Sequence, residues 1–214
     1  MAEGEPLING VSQAPLTLVL AHGAGAGMDS PFMEFMAVGL ANHGWRVVRF
    51  EFPYMAKRRL TGRQSPPDRA ERLASHWIDQ LDALCDAGPV VVGGKSLGGR
   101  IASVMADQWL DGQQIVGCIC LGYPFHPLGK PQQLRVAHLE QMRTPTLILQ
   151  GERDAMGRRE LVEGLNLSPS IEVEWVPDGD HSYKPRRSSG RTEVMNLEMA
   201  VEAVHGYLQR LCQS

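Results

Sequence analysis

The sequence predicts an α/β fold: a doubly wound, mostly parallel sheet of six to seven strands, helices on both faces, no large cap domain. Three observations lead there. Apolar runs alternate with amphipathic stretches along the whole chain. Several of those runs are unbroken in Val, Ile and Leu, as strands covered on both faces require. The residues able to do chemistry follow the strands, at the edge where such sheets bind ligands.

The strand candidates, in order, are 16–21 (LTLVLA), 45–52 (WRVVRFEF), 89–94 (PVVVGG), 115–121 (IVGCICL), 145–150 (PTLILQ) and 171–176 (IEVEWV). Helix candidates separate or follow them at 31–43, 67–87, 97–110, near 132–142, near 157–165 and at 192–211. In 67–87, Leu73, Trp77, Ile78, Leu81 and Leu84 recur at helical spacing behind Pro66 and Pro67. The stretch 53–66 reads as irregular and is too short for a cap. Strands alternating with helices make right-handed βαβ units, hence a parallel sheet. No repeat or linker interrupts the pattern, so 1–214 reads as one domain with its core at about 14–211.

A chain of 214 residues has material for one substantial core but is short for two. No apolar run approaches the roughly 20 residues of a membrane helix. The start, MAEGEPLING, lacks the basic region of a secretory signal, so neither membrane nor secretion is expected and a cytoplasmic location is. Cys85, Cys118, Cys120 and Cys212 form no CxxC pair and no secreted-type framework. Cys118 and Cys120, two apart in an apolar run, face one side of the sheet.

Following each strand to its end locates the chemistry. After the first comes HGAGAG (22–27); after the third, KSLGG (95–99); Asp154 follows the fifth and His181 the sixth. A valine-rich strand, then G-x-S-x-G, then a small-residue helix start places Ser96 on a sharp turn between Gly94 and Gly98. Flanking residues there must be small because the backbone passes close to itself. The Leu97 amide at the helix start points toward a developing oxyanion. The loop after the first strand supplies a second donor, the amide of Ala24 or, next in order, Gly25.

A serine hydroxyl needs a base. His43, His76, His138 and His205 fall in helix candidates, and His22 suits bracing of its glycine loop. His126 lies in a rim loop, a candidate substrate contact. His181, in PDGDHSY between the last strand and last helix, stands where the order Ser, Asp, His puts the base. Asp154 in QGERD is the favoured acid. Asp178 and Asp180 compete as neighbours of His181, although near neighbours in a tight turn rarely aim back at their own histidine.

Together HGAGAG, GGKSLGGR, LGYPFHPLGKP, QGERD and GDHSY resemble the dienelactone-hydrolase-like α/β-hydrolases. More narrowly, they are similar to bacterial relatives of the testis-expressed and chromatin-complex hydrolase-like proteins. The resemblance spans about 16–211 and implies a hydrolase without a large lid, with Ser96, Asp154 and His181 as triad positions. The chain departs from the namesake enzymes in carrying serine where they use cysteine.

Other readings fit less well. Gly94-Lys95-Ser96 ends like a phosphate loop, but the required earlier glycine is Pro89. Gly23-Ala24-Gly25 opens like a dinucleotide fingerprint, with Glu51 as its acid, but Met28 holds the third glycine position. No HExxH or paired His/Cys spacing appears, so neither a metal nor a cofactor is expected. The alternative to an esterase-like enzyme is a non-catalytic module of the same fold, in which Ser96 is replaceable.

Charge suggests the substrate. Segments 53–66, 122–137 and 182–191 hold ten Lys and Arg and no acid, although the whole chain is at −3. Each segment follows a strand, so a basic rim is expected to attract a small molecule bearing carboxylate or phosphate, with Arg58, Arg59 and Arg187 as first contacts. Solvated loops are also often basic. No nucleic-acid partner is expected.

Overall fold

The computed structural model describes residues 5–84 and 88–213, which form seven strands in one sheet. These are β1 (Leu7–Asn9), β2 (Thr17–Ala21), β3 (Arg46–Phe50), β4 (Val90–Lys95), β5 (Gly117–Leu121), β6 (Thr146–Gly151) and β7 (Ile171–Val176). The helices are α1 (Pro31–Asn42), α2 (Pro53–Thr61), α3 (Ala70–Asp82), α4 (Leu97–Asp111), α5 (Arg159–Glu163) and α6 (Glu193–Leu211). The strand order is β1-β3-β2-β4-β5-β6-β7, and every pair is parallel except β1 against β3. From β2 the chain winds outward to β3, then returns to place β4 on the other side of β2. The ends of β2 and β4 therefore flank the switch point, where sheets of this kind open a crevice.

The unbroken apolar strands split their side chains between two cores. Val19, Val48, Val92, Cys118, Cys120 and Ile148 face α3 and α4, where Trp77 and Trp109 are buried. Leu18, Leu20, Val47, Val91, Ile119 and Leu147 face α1 and α6 with Met33, Met36 and Leu40. Each large apolar side chain buried this way contributes about 1.5–3 kcal/mol. Two helical coats over two cores cover both faces of the sheet and leave its carboxyl-end rim open.

Several elements differ from the sequence expectation. β1 is three residues long, and its register with β3 rather than any local pattern creates it. The stretch 53–66 is largely helix: Pro53 starts α2, Gly62 ends it in a left-handed conformation, and Tyr54 and Met55 are buried. The segment 132–142 is not helical. Its backbone bonds outward instead, Arg135 N–H to Phe125 O at 2.8 Å, while the Leu139 carbonyl accepts from Ser168 N–H at 2.9 Å. These tertiary bonds displace a helical ladder. α3 begins at Ala70 rather than 67, and the expected helix's last three residues, with Cys85, lie outside the described ones. α5 is a single short helix within 157–165.

The tightest point is the strand-to-helix turn. A methyl group added at Gly94 or at Gly98 would overlap the Ala21 carbonyl oxygen, a backbone atom that cannot rotate away. Gly98→Ala should therefore destabilise the protein by about 1–3 kcal/mol or more. Urea unfolding measures this; an unchanged midpoint would mean that β2 and α4 separate freely.

Candidate active site

Ser96 joins β4 to α4 with φ +52°, ψ −113°, a conformation L-residues rarely adopt. The surrounding backbone fixes it: Ser96 N–H donates to Leu121 O at 3.0 Å, and Ser96 O accepts from Arg100 N–H at 2.9 Å. The hydroxyl stands clear of the sheet, half-buried, beside the loop that follows β2.

His181 reaches it from the loop after β7. Its Nε2 lies 2.9 Å from Ser96 Oγ and its Nδ1 2.7 Å from Asp154 Oδ2. Asp154 is fully buried just past β6. Its other contacts orient it: Oδ2 also accepts from Gln150 Nε2 at 3.0 Å and Oδ1 from Met156 N–H at 2.8 Å. With the carboxylate accepting from Nδ1–H, Nε2 is left free to accept the serine proton. The competing acids are used elsewhere. Asp180 Oδ1 accepts from Ser182 and Lys184 N–H, while Asp178 pairs with Arg186 and Arg153.

The loop carrying His181 is fastened on several sides. Tyr183, buried at φ +68°, donates to Leu149 O at 2.8 Å. Asn196 of α6, also buried, donates to the carbonyls of Pro177 and Tyr183. Lys95 Nζ donates to the His181 carbonyl and lies 5.2 Å from the Phe32 ring centroid. Gln150 and Lys95 are the positions sequence reading missed. The only signal was a polar residue ending an otherwise apolar strand, since each stands in or at the end of its strand.

A cavity of about 730 Å³ opens over Ser96. Its wall includes Ala24, Gly25 and Leu97, so the residues that carry the expected amide donors line the same space as Ser96. Leu97 is the first residue of α4, where an amide has no partner within its own helix. His22 braces the Ala24 loop: Nδ1–H donates to Gly23 O at 2.7 Å and Nε2 accepts from Phe52 N–H at 3.0 Å. Burial lowers its pKa, in keeping with that neutral, bridging form. Among the described residues no group of three or more His, Cys, Asp or Glu is gathered to hold a metal ion.

The expected substrate contacts are not brought to this cavity. Arg59 grips Asp29 and the buried Glu51, with three contacts at 2.8 Å and one at 2.9 Å. Arg58 donates to Gly25 O at 3.2 Å from the far side of that loop. His126 is buried and bonded to the Pro127 carbonyl, and Arg187 sits in a single 3-10 turn away from the cavity wall. The cations that do line the cavity are Lys95, Arg100 and Arg135.

A family profile described as "Alpha/beta hydrolase domain" matches residues 14–209. Among solved structures, the chain is similar to an alpha-beta serine hydrolase homologue from Coxiella burnetii at 20% identity, with 94% and 91% of the two chains covered and a TM-score of 0.66. A dienelactone hydrolase from Anabaena variabilis is 21% identical, with 93% and 89% covered and a TM-score of 0.68. Est1E from Butyrivibrio proteoclasticus is 14% identical, with 99% and 95% covered and a TM-score of 0.71. At these identities the likeness is one of fold.

Lys95 provides a test of the site's electrostatics. Burial lowers its pKa from 10.5 to about 8, against the opposing pull of Asp154 and then Asp180. In the unfolded chain the lysine keeps its proton to about pH 10.4. Burying the charge therefore costs stability below pH 8, and the cost disappears as pH rises toward 10.5. Relative to Lys95→Met, the wild type should gain up to about 3 kcal/mol between pH 7.5 and 10.5. Urea titrations of both proteins across that range measure it; a constant difference would show that the ammonium is not desolvated.

Proposed function

Because the chain belongs to the alpha/beta hydrolase domain family, we propose that it is a serine hydrolase cleaving a small ester, thioester or lactone through an acyl-enzyme on Ser96. The observation that carries this is the single imidazole bonded to Ser96 through Nε2 and to the buried Asp154 through Nδ1. On the motifs it shares with them, we place the chain near bacterial relatives of the testis-expressed and chromatin-complex hydrolase-like proteins. We read it as one cytoplasmic catalytic domain working without a lid.

In this reading Ser96 Oγ attacks the carbonyl carbon while His181 Nε2 takes the hydroxyl proton. The carbonyl oxygen becomes an oxyanion that the Leu97 and Ala24 amides receive. Collapse expels the alcohol or thiol, which takes the proton from His181, and leaves the acyl group on Ser96. Water then repeats the sequence, giving its proton to His181 and releasing the acid. Asp154 stabilises the imidazolium at each stage and fixes which nitrogen faces the serine. The strained turn contributes by holding the hydroxyl in place before substrate arrives, a cost of about 1–3 kcal/mol met by the fold.

Ser96→Ala should abolish labelling by a fluorophosphonate and reduce ester turnover about a millionfold. Asp154→Asn should fold normally, yet lose roughly ten-thousand-fold in kcat, because the wrong tautomer is then favoured. Labelling followed by mass spectrometry, with kinetics on a panel of short esters, measures both. A folded wild type that neither labels nor turns over any ester would replace this reading with that of a binding module.

A further inference from the structure

Two arginines line the cavity over Ser96. Arg100 lies on the first turn of α4, four residues beyond Ser96, or about 6 Å along the helix axis. Arg135 faces the same space from the non-helical segment 132–142. That segment is pinned: Arg135 N–H donates to Phe125 O, Arg135 O accepts from Tyr123 Oη at 2.8 Å, and His138 Nε2 lies 3.0 Å from Ser103 Oγ of α4. Both arginines are half-buried.

Among the described residues, neither guanidinium meets a carboxylate. Arg59, Arg143, Arg153, Arg159, Arg186 and Arg210 each do. Arg100 Nε is buried and has no hydrogen-bond partner at all, a state that folded proteins avoid unless something else fills it. Burial, and next the charge of Arg100, lowers the pKa of Arg135, so the two cations lie near enough to repel each other. His138 adds no third charge, since burial and the adjacent Arg100 bring its pKa to about 4. Of the nearby acids, Asp107 accepts from Thr144 and Arg143, and Glu193 on the cavity rim is exposed, 4.0 Å from Lys184 and bonded to neither arginine. Lys95, the third cation in the wall, gives its ammonium to the His181 carbonyl.

Two half-buried arginines line one cavity, neither paired with a carboxylate and one of them a turn of helix from Ser96, and guanidinium groups so placed can donate to a compact anion. We propose that Arg100 and Arg135 bind a carboxylate or phosphate borne by the substrate, so that the natural substrate is an anionic ester, thioester or lactone whose charge lies a few bonds from the scissile carbonyl. The inference rests on the reading of Ser96 as nucleophile and assigns that site its substrate class. Guanidinium forks hold compact oxyanions through paired, charge-assisted hydrogen bonds, and in a half-buried wall these bonds are less screened than on a rim.

The test compares methyl butyrate with monomethyl succinate, which share acyl length and differ in a terminal carboxylate, by titration of released acid. The wild type should prefer the succinate half-ester. In Arg100→Met and in Arg135→Met the ratio of the two kcat/KM values should fall about 10- to 100-fold, mainly through KM of the anionic ester. Arg100→Lys, which keeps charge but loses the fork, should fall between. Thermal unfolding verifies that each variant folds and supplies a second readout. Succinate or inorganic phosphate should raise the wild-type Tm and should fail to raise that of the double variant, and whichever anion acts at lower concentration identifies the group carried by the substrate. If Ser96 labels and butyrate is cleaved, but the ratio is the same in all four proteins, the anion site is wrong and the nucleophile stands. If nothing is cleaved or labelled while the anions still protect through both arginines, the nucleophile reading fails and the anion site stands. Absence of any Tm shift overturns the anion site directly.

Discussion

Everything at the site depends on one close passage, where the end of β2 runs beneath the start of α4. The Ala21 carbonyl lies so near Gly94 and Gly98 that no side chain fits at either position. The register that pairs Ala21 with Gly94 makes this approach obligatory, because the two strands end side by side. A helix starting there leaves Ser96 no relaxed conformation, hence φ +52°. The same approach sets the Ala24 loop against the free amides at the start of α4. The strained serine thus follows from one packing constraint.

The other half of the site comes from the far end of the chain and is held differently. A tight turn holds His181 locally, with Tyr183 N–H donating to Asp180 O at 2.9 Å, and a set of ties from separate elements holds that turn in place. Tyr183 plugs the core between α1 and α6, Asn196 reaches up from α6, and Lys95 comes from beneath at the end of β4. Freeing the histidine would require withdrawing a buried tyrosine and breaking bonds to Leu149 and α6. Its loop therefore shares the stability of the core rather than of the surface. A buried lysine is a costly tie, but it bonds the carbonyl of the very residue that must stay in register with Ser96 and Asp154.

The parts legible in the sequence are those whose cause is local. Valine-rich runs give the strands of the interior, and glycines two either side of a serine mark the turn, because both patterns answer to neighbours within a few residues. Chain order, with the alternation of elements, carried the reading to Asp154 and His181. What escaped is what tertiary contact decides. β1 exists only by pairing with β3, and 132–142 has helical composition yet bonds outward to Phe125 and Ser168. α2 carries helix signals at both ends, Pro53 and Gly62, but its few apolar residues concealed them. Gln150 looks in sequence like a strand's last residue and in space is the clamp on Asp154.

The basic rim shows the same limit in its clearest form. Counting charge along segments assumes that a cation and its counter-ion lie near each other in sequence, and across βα loops they do not. Arg59 meets Asp29 and Glu51 from two earlier connections, and Arg186 meets Asp178 across the His181 loop. Those arginines tie loops together, and their charge is spent on the fold. Arg100 went unremarked because it sits in a helix, and Arg135 entered the charge count of 122–137 without being singled out, because that stretch is sparsely charged. Whether an arginine is available to a ligand is decided by which acids the fold leaves within reach, and only three-dimensional structure sets that. The charge that matters at a site is the charge left over after folding, and part of it here lines the cavity over Ser96.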